Sequence, residues 1–277
     1  MKLPFTKMHG LGNDFVVFDF TQEQFPLSAT QAAEIADRHF GVGCDQILII
    51  EQSQRPDIDF KYRILNSDGS EVGQCGNGSR CFALYVHEHN LTKKNPITVE
   101  TMTGDMVLDL DTNNNMVQVK MPVPNFEPTV IPLDVTQRQE AYQITTNNQS
   151  IEFSALSVGN PHAVIQVDDT ENADVETLGP LLESHPIFPE RANIGFMQIL
   201  NRQEFSLRVF ERGVGETIAC GSGACAAAVA GMIRGELNNS ITAHLRGGDL
   251  EISWAGEGQP IMMTGPAVSV FDGIIEL

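Results

Sequence analysis

Apolar positions fall along this chain in short blocks, most of them too short for anything but strands. "FVVFDF", Phe15 to Phe20, reads as a strand followed by a turn. "SATQAAEIADRH", Ser28 to His39, reads as a helix; Ser28 and Gln31 suit a capping box, and Gly41 lies just past the expected end. "CDQILIIEQ" and "DFKYRILNSDG" read as two more strands, the second running into a turn. A helix is expected from the first Cys-Gly-Asn-Gly to about His89, ending before "KKNP". The short strands "ITVETMTG", "DMVLDL" and "NMVQVKM" follow.

"MPVPNFEP", Met121 to Pro128, carries three prolines in eight residues and is the expected domain boundary. Beyond it the pattern starts again. "FSALSVGNPHAVIQV" reads as strands, "VETLGPLLESH" as a helix, and "ANIGFMQIL" and "EFSLRVFERG" as strands. A second Cys-Gly-x-Gly then opens an alanine-rich helix, and strands run to the end. "LRGGDL", Leu245 to Leu250, reads as a hairpin turn, too short on context for a phosphate loop.

The two halves form an internal repeat. At an offset of 145, Phe60, Arg63, Glu71, Cys75, Gly76 and Gly78 fall on Phe205, Arg208, Glu216, Cys220, Gly221 and Gly223. At an offset of 147, "GND" (Gly12 to Asp14) falls on "GNP" (Gly159 to Pro161), and Gln46 on Asn193. Both Cys-Gly-x-Gly units therefore follow a strand and precede a helix.

That placement points to chemistry. Each cysteine sits at the positive end of a helix, where anions bind and a thiol's pKa falls. The repeat suggests two thiols facing one another across a cleft. Inverting a stereocentre next to a carboxylate needs a base on one face and an acid on the other, and one thiolate with one thiol meets that need. The paired helix ends would hold the carboxylate and stabilise charge as the α-proton leaves.

Composition narrows the partners. The chain has 277 residues, 42% hydrophobic and 19% charged, which suits a globular protein of one large or two modest domains. A formal charge of −19 argues against nucleic acid and anionic membrane surfaces. No apolar run reaches membrane-helix length, and the N-terminal segment does not read as a signal peptide, so a cytoplasmic location is expected. Five cysteines in such a setting suggest free thiols.

"MHGLGNDF", "NSDGSEVGQCGNGSRC" and "ERGVGETIACGSGAC" closely resemble the diaminopimelate epimerases, and the similarity runs the whole length. The resemblance implies a pyridoxal-independent isomerase without cofactor or metal, interconverting LL- and meso-2,6-diaminopimelate on the way to lysine and peptidoglycan. It implies an α/β fold of two pseudo-symmetric lobes, each wrapping strands around a central helix. The expected lobes are residues 1–120 with a returning strand at 266–277, and residues 121–265. A homodimer is also implied, as is diaminopimelate as the small-molecule substrate.

By that resemblance Cys75 and Cys220 are the acid–base pair. The binding set falls on Asn13, Gln46, Asn66, Gly76, Asn77, Asn160, Asn193, Glu211, Arg212, Gly221 and Ser222. His162 and Glu211 match positions thought to tune the thiols. Phe271, in "VFDG", stands where several relatives would have Tyr, which touches only a dimer contact. The chemistry is coherent: an Arg can fork onto a distal carboxylate, while Glu and Asn receive ammonium groups.

Blander readings compete at each position. Cys44, Cys81 and Cys225 read as structural, the last two lying a turn or more into their helices. A zinc site from Cys75, Cys81, Cys220 and Cys225 has poor spacing. A redox pair would be a liability of the site more than its purpose. His162 alone would be a satisfied core histidine, Asn13 and Asn160 turn residues, and Arg212 a solvated charge. The enzyme rival is a proline or hydroxyproline racemase, which would not need Asn160, Asn193 and Arg212. A non-catalytic amino-acid binder would need neither cysteine.

Overall fold

The computed structural model describes residues 1–73, 75–146 and 149–277. The chain divides into two compact units, Met1–Lys120 with Thr264–Leu277, and Met121–Met263.

The first unit contains β1 (Lys2–Gly10), β2 (Asn13–Asp19), α1 (Ala29–Ala36), β3 (Gln46–Gln52), β4 (Phe60–Asn66), β5 (Glu71–Val72), α2 (Gly76–Glu88), β6 (Ile97–Thr101), β7 (Gly104–Asp111) and β8 (Met116–Lys120). The second contains β9 (Tyr142–Thr146), β10 (Gln149–Ser157), β11 (Pro161–Gln166), α3 (Val175–Glu183), β12 (Asn193–Asn201), β13 (Glu204–Glu211), β14 (Gly215–Thr217), α4 (Gly221–Ile233), β15 (Ser240–Leu245) and β16 (Gly248–Trp254). Two more strands follow, β17 (Ile261–Pro266) and β18 (Val268–Glu276), and β18 pairs antiparallel with β1.

Both units use one ladder pattern. β1–β2 is antiparallel, β2–β3 parallel, β3–β4 antiparallel and β4–β6 parallel. In the second unit β10–β11, β11–β12, β12–β13 and β13–β15 repeat those senses in that order. The register repeats too: Phe15 faces Gln46, and 147 residues later His162 faces Asn193. The sequence repeat is therefore a structural one.

Each sheet wraps a helix that has almost no wet face. Asn77 through Val86 are buried in α2, and Gly223 through Gly231 in α4. A helix apolar on all sides belongs inside its domain, which explains the alanine run. The outer helices cover the other face: Ala32 and Ile35 of α1 pack with Phe18, Ile47 and Ile49, and Leu182 of α3 with Phe153 and Phe196. This is the mixed α/β architecture expected from the sequence.

The matched Arg and Glu of the repeat form a clamp. Arg63 grips Glu71 with Nε and Nη2 at 2.8 and 2.9 Å, and Arg208 grips Glu216 at 2.7 and 2.9 Å. Each fork ties the strand before the cysteine to the short strand that returns toward it. These identities hold the frame.

Two local readings change. Helix α1 stops at Ala36, before His39, because Asp37 turns extended and its carboxylate accepts from the backbone N–H groups of His39 and Phe40, both at 2.7 Å. The capping box at its other end is present, Ser28 with Gln31. Strands β1 and β9 add to the expected elements; β1 is stitched between β2 and β18, with Lys7 opposite Val16, 9 residues on, and Thr6 opposite Asp272, 266 residues on, the second a pairing that local pattern cannot supply. The hairpin at Arg246 and Gly247 joins β15 to β16 as read.

Candidate functional site

Every expected site residue lies at the same end of its unit's sheet. Asn13 opens β2, Gln46 opens β3, Asn66 closes β4 and Cys75 precedes α2. Asn160 precedes β11, Asn193 opens β12, Glu211 closes β13 and Cys220 precedes α4. Both cysteines have extended backbone, φ −142° and ψ 120° at Cys75, φ −122° and ψ 102° at Cys220, and neither thiol caps its own helix.

In the first unit the Cys75 thiol donates to Asn13 Oδ1 across 3.6 Å. Asn77 Nδ2 donates to the same oxygen at 3.2 Å. The other end of the Asn13 amide, Nδ2, donates to Asp45 Oδ2 at 2.9 Å. Gln46 and Asn66 face one another across the β3–β4 ladder, with Gln46 Nε2 donating to Asn66 Oδ1 at 3.0 Å. Asp14 anchors this end of the sheet. Burial would raise its pKa, but Arg38 and Lys7 hold it down at about 2.

In the second unit Asn160 Nδ2 donates to Ser222 Oγ at 3.4 Å, and Ser222 Oγ lies 3.7 Å from the Cys220 sulfur. His162 Nε2 lies 3.0 Å from Asn160 Oδ1 and 3.5 Å from Asn193 Nδ2; the shorter contact, to an acceptor, assigns the proton to that nitrogen. Burial holds His162 far below the usual imidazole range, at about 3, with the nearby Arg212 charge adding to it. The ring is neutral. Asn193 Oδ1 accepts from the Arg212 backbone N–H at 2.9 Å, and its Nδ2 donates to the Pro161 carbonyl at 3.1 Å. Arg212 itself is exposed, with Nη1 on the Glu190 carbonyl at 3.1 Å.

Helix position alone implies a lowered thiol pKa, yet burial wins at Cys220. Desolvation pushes this thiol well above its ordinary value, and the Glu211 charge adds to the rise. Ser222 and the Gly223 N–H oppose it. The thiol is 4% exposed, so the few favourable dipoles of a helix end do not replace lost water.

The second glycine of each motif serves packing. A Cβ on Gly78 would meet Tyr62 Oη at 2.4 Å, and one on Gly223 would meet Val209 Cγ2 at 2.9 Å and the Cys220 sulfur at 3.2 Å. It is the two residues directly after each cysteine, Gly76-Asn77 and Gly221-Ser222, that occupy the helix starts.

Sequence reasoning missed three polar groups here. Thr217 donates its hydroxyl to Glu211 Oε1. Asp45 holds Asn13. Arg80, fully buried, donates to the Gly76 carbonyl at 3.3 Å, to Asn77 Oδ1 at 2.9 Å and to the Pro266 carbonyl at 3.0 Å. Arg80 had a signal: a charge leading directly into the apolar run Cys81 to Val86 must find partners inside the protein.

Cys44, Cys81, Cys220 and Cys225 are buried and Cys75 is half-buried. Burial pushes Cys44 up to about 11 and Cys81 higher still. Among the described residues no group of three or more His, Cys, Asp or Glu is arranged to hold a metal ion. No helix among them is long and apolar enough to cross a membrane.

Comparison with known proteins joins this geometry to a family. The family model for diaminopimelate epimerase matches residues 5–127 and 154–270. A diaminopimelate epimerase from Nitrosospira multiformis is 53% identical over 277 residues, covering 100% of this chain and 99% of the relative. One from Teredinibacter turnerae is 52% identical, covering all of both chains. Among solved structures, a hydroxyproline epimerase from Agrobacterium vitis with bound trans-4-hydroxy-L-proline superposes with a TM-score of 0.72 at 15% identity, over 99% of this chain and 92% of that one. At that identity the likeness is one of fold.

Proposed function

We propose, on the premise that this chain belongs to the diaminopimelate epimerase family, that it interconverts LL- and meso-2,6-diaminopimelate by two-base proton transfer through Cys75 and Cys220. The observation that carries the mechanism is the equivalence of the two cysteines, each at the N-terminus of the central helix of its unit.

In the proposed step one cysteine, as thiolate, takes the α-proton on one face of the carbon. The electron pair left behind is delocalised into the adjoining carboxylate. The other cysteine, as thiol, delivers its proton to the opposite face. The first sulfur ends protonated and the second as thiolate, so the reverse reaction runs with roles exchanged. No external reductant, oxidant or cofactor enters the balance.

The α-carboxylate is assigned to the N–H groups at Gly76-Asn77 and Gly221-Ser222, where helix ends favour negative charge. Asn13 and Asn160 flank these turns and orient the reacting end. The distal carboxylate is assigned to Arg212, and the distal ammonium to Glu211 with Asn193, Gln46 and Asn66 supplying further polar contacts. His162, neutral, orients Asn160 and leaves charge control of Cys220 to Glu211.

The same reading makes this a cytoplasmic enzyme of lysine and peptidoglycan precursor synthesis. It also makes it a homodimer, which the exposed Val268, Val270, Phe271 and Ile274 of β18 support as an apolar surface seeking cover.

Proton NMR of LL-diaminopimelate in D₂O, with purified protein, thiol reductant and no pyridoxal phosphate, tests the reading. The expected result is loss of the α-hydrogen signal with growth of the meso isomer. Exchange of proline or hydroxyproline in its place would move the chain to the racemase branch. No exchange with any of them would leave an amino-acid binder.

A further inference from the structure

We propose that Arg80 and Asp45 are positioning residues that fix the direction of an amide relay ending at Cys75, so that an oxygen and not an N–H faces its sulfur. This rests on the reading of Cys75 as one of the two acid–base thiols.

Two asparagines could each present either end of the amide, but their outer neighbours leave no choice. A guanidinium can only donate, so Asn77 must turn Oδ1 toward Arg80 Nη2, 2.9 Å away. Its Nδ2 is then left to donate to Asn13 Oδ1 at 3.2 Å. At the far end an ionised carboxylate can only accept, so Asn13 must turn Nδ2 toward Asp45 Oδ2 at 2.9 Å. Both constraints agree. The atom 3.6 Å from the Cys75 sulfur is Asn13 Oδ1.

Arg80 is itself held so that it cannot swing away. It is fully buried, and Nε and Nη1 are committed to the Pro266 and Gly76 carbonyls at 3.0 and 3.3 Å. The anchor thus reaches from the first turn of α2 to the end of β17, within the first unit.

The second unit lacks both anchors. The repeat places Cys225 where Arg80 stands and Ala192 where Asp45 stands, and both are buried. There the order of donors runs the other way: His162 Nε2–H to Asn160 Oδ1, Asn160 Nδ2–H to Ser222 Oγ, with the Ser222 hydroxyl beside the Cys220 sulfur. A chain of donors thus leads to the Ser222 hydroxyl beside Cys220, where the Glu211 carboxylate also reaches the thiol, whereas Asn13 Oδ1, an acceptor, faces Cys75.

An acceptor oxygen stabilises S–H and opposes the thiolate, whereas the buried Arg80 cation favours the thiolate. Tyr62 on β4 and Cys81 on α2 also feel the Cys75 charge, and both are pushed up by burial, so they stay neutral. Beyond Asp45 lie Asp14, Lys7 and Arg38, which satisfy one another.

The test is the rate of iodoacetamide alkylation against pH, resolved site by site by mass spectrometry on the full chain, with Cys220 as internal reference. Asp45→Asn removes the carboxylate that fixes Asn13 Nδ2 and leaves only the Asn77 Nδ2–H to hold Asn13 Oδ1, so the amide turns its N–H to sulfur part of the time and the Cys75 midpoint falls by up to about one pH unit. Arg80→Met removes the cation and raises it by about one unit, while Arg80→Lys stays near wild type. Turnover of Arg80→Met falls through kcat more than KM. An unmoved Cys75 midpoint in both Asp45→Asn and Arg80→Met overturns the proposal, as does a Cys220 midpoint that moves equally. If Arg80→Met does not fold, Asp45→Asn at the half-exposed end decides. The alkylation readout needs no turnover, so it stands apart from whether Cys75→Ala abolishes epimerisation.

Discussion

His162 stands directly beside Asn193 in the parallel β11–β12 ladder, in the place where Phe15 stands beside Gln46 in β2–β3. One unit thus carries an imidazole where its twin carries a phenyl ring, and both are buried. The swap adds polar contacts, to Asn160 at 3.0 Å and to Asn193 at 3.5 Å, without adding a charge.

That neutrality has a pH signature. His162 has a folded pKa of about 3, below its ordinary value of 6.5, so the unfolded chain binds a proton the native protein refuses. Its contribution to stability is full above about pH 6.5 and is lost as pH falls toward 3, at up to about 1.4 kcal/mol per pH unit. Urea titrations from pH 7 to pH 4 should show a smaller acid loss in His162→Gln than in wild type. In NMR, the His162 ring signals should not move between pH 8 and 5. A ring that titrates in that range sinks the assignment.

The two thiols should fail separately. Cys75→Ala and Cys220→Ala are each expected to reduce epimerisation by at least about 10²-fold while circular dichroism and thermal unfolding stay near wild type. Either variant keeping near-wild-type turnover would remove the two-base mechanism. Cys75 is the more accessible of the two, so iodoacetamide should modify it faster than the 4%-exposed Cys220.

The motif glycines should resist alanine although alanine favours helices. Gly78→Ala gains roughly 1 kcal/mol of helix propensity, but its Cβ would press on Tyr62 Oη at 2.4 Å in a close-packed core. A net loss of about 1–3 kcal/mol in urea unfolding is expected. Gly223→Ala presses on Val209 and the Cys220 sulfur, so it should cost turnover as well as stability. A stabilised Gly78→Ala would show that the helix can shift away from β4, contrary to this packing.

Much of this could be read without coordinates, for identifiable reasons. Helix starts are set within a few residues, and Ser28 with Gln31 announces α1 as plainly as the apolar run after Cys220 announces α4. The repeat was visible because Arg63–Glu71 and Arg208–Glu216 must both be kept to close their hairpins. Strand β1 was not visible, since its ladder partners include residues near the other end of the chain.

What the sequence determined by itself is local and repeated: two cysteines before two buried helices, the strands that lead to them, and the motifs that mark the family. What only the tertiary structure decided is the electrical setting of those cysteines. Asn13 is brought to Cys75 from 62 residues away, and Glu211 and full burial act together on Cys220. A helix end lowers a thiol's pKa when water still reaches it. Whether water does is settled by what packs above the sulfur, and that is written in contacts between distant segments, not in the order of neighbouring residues.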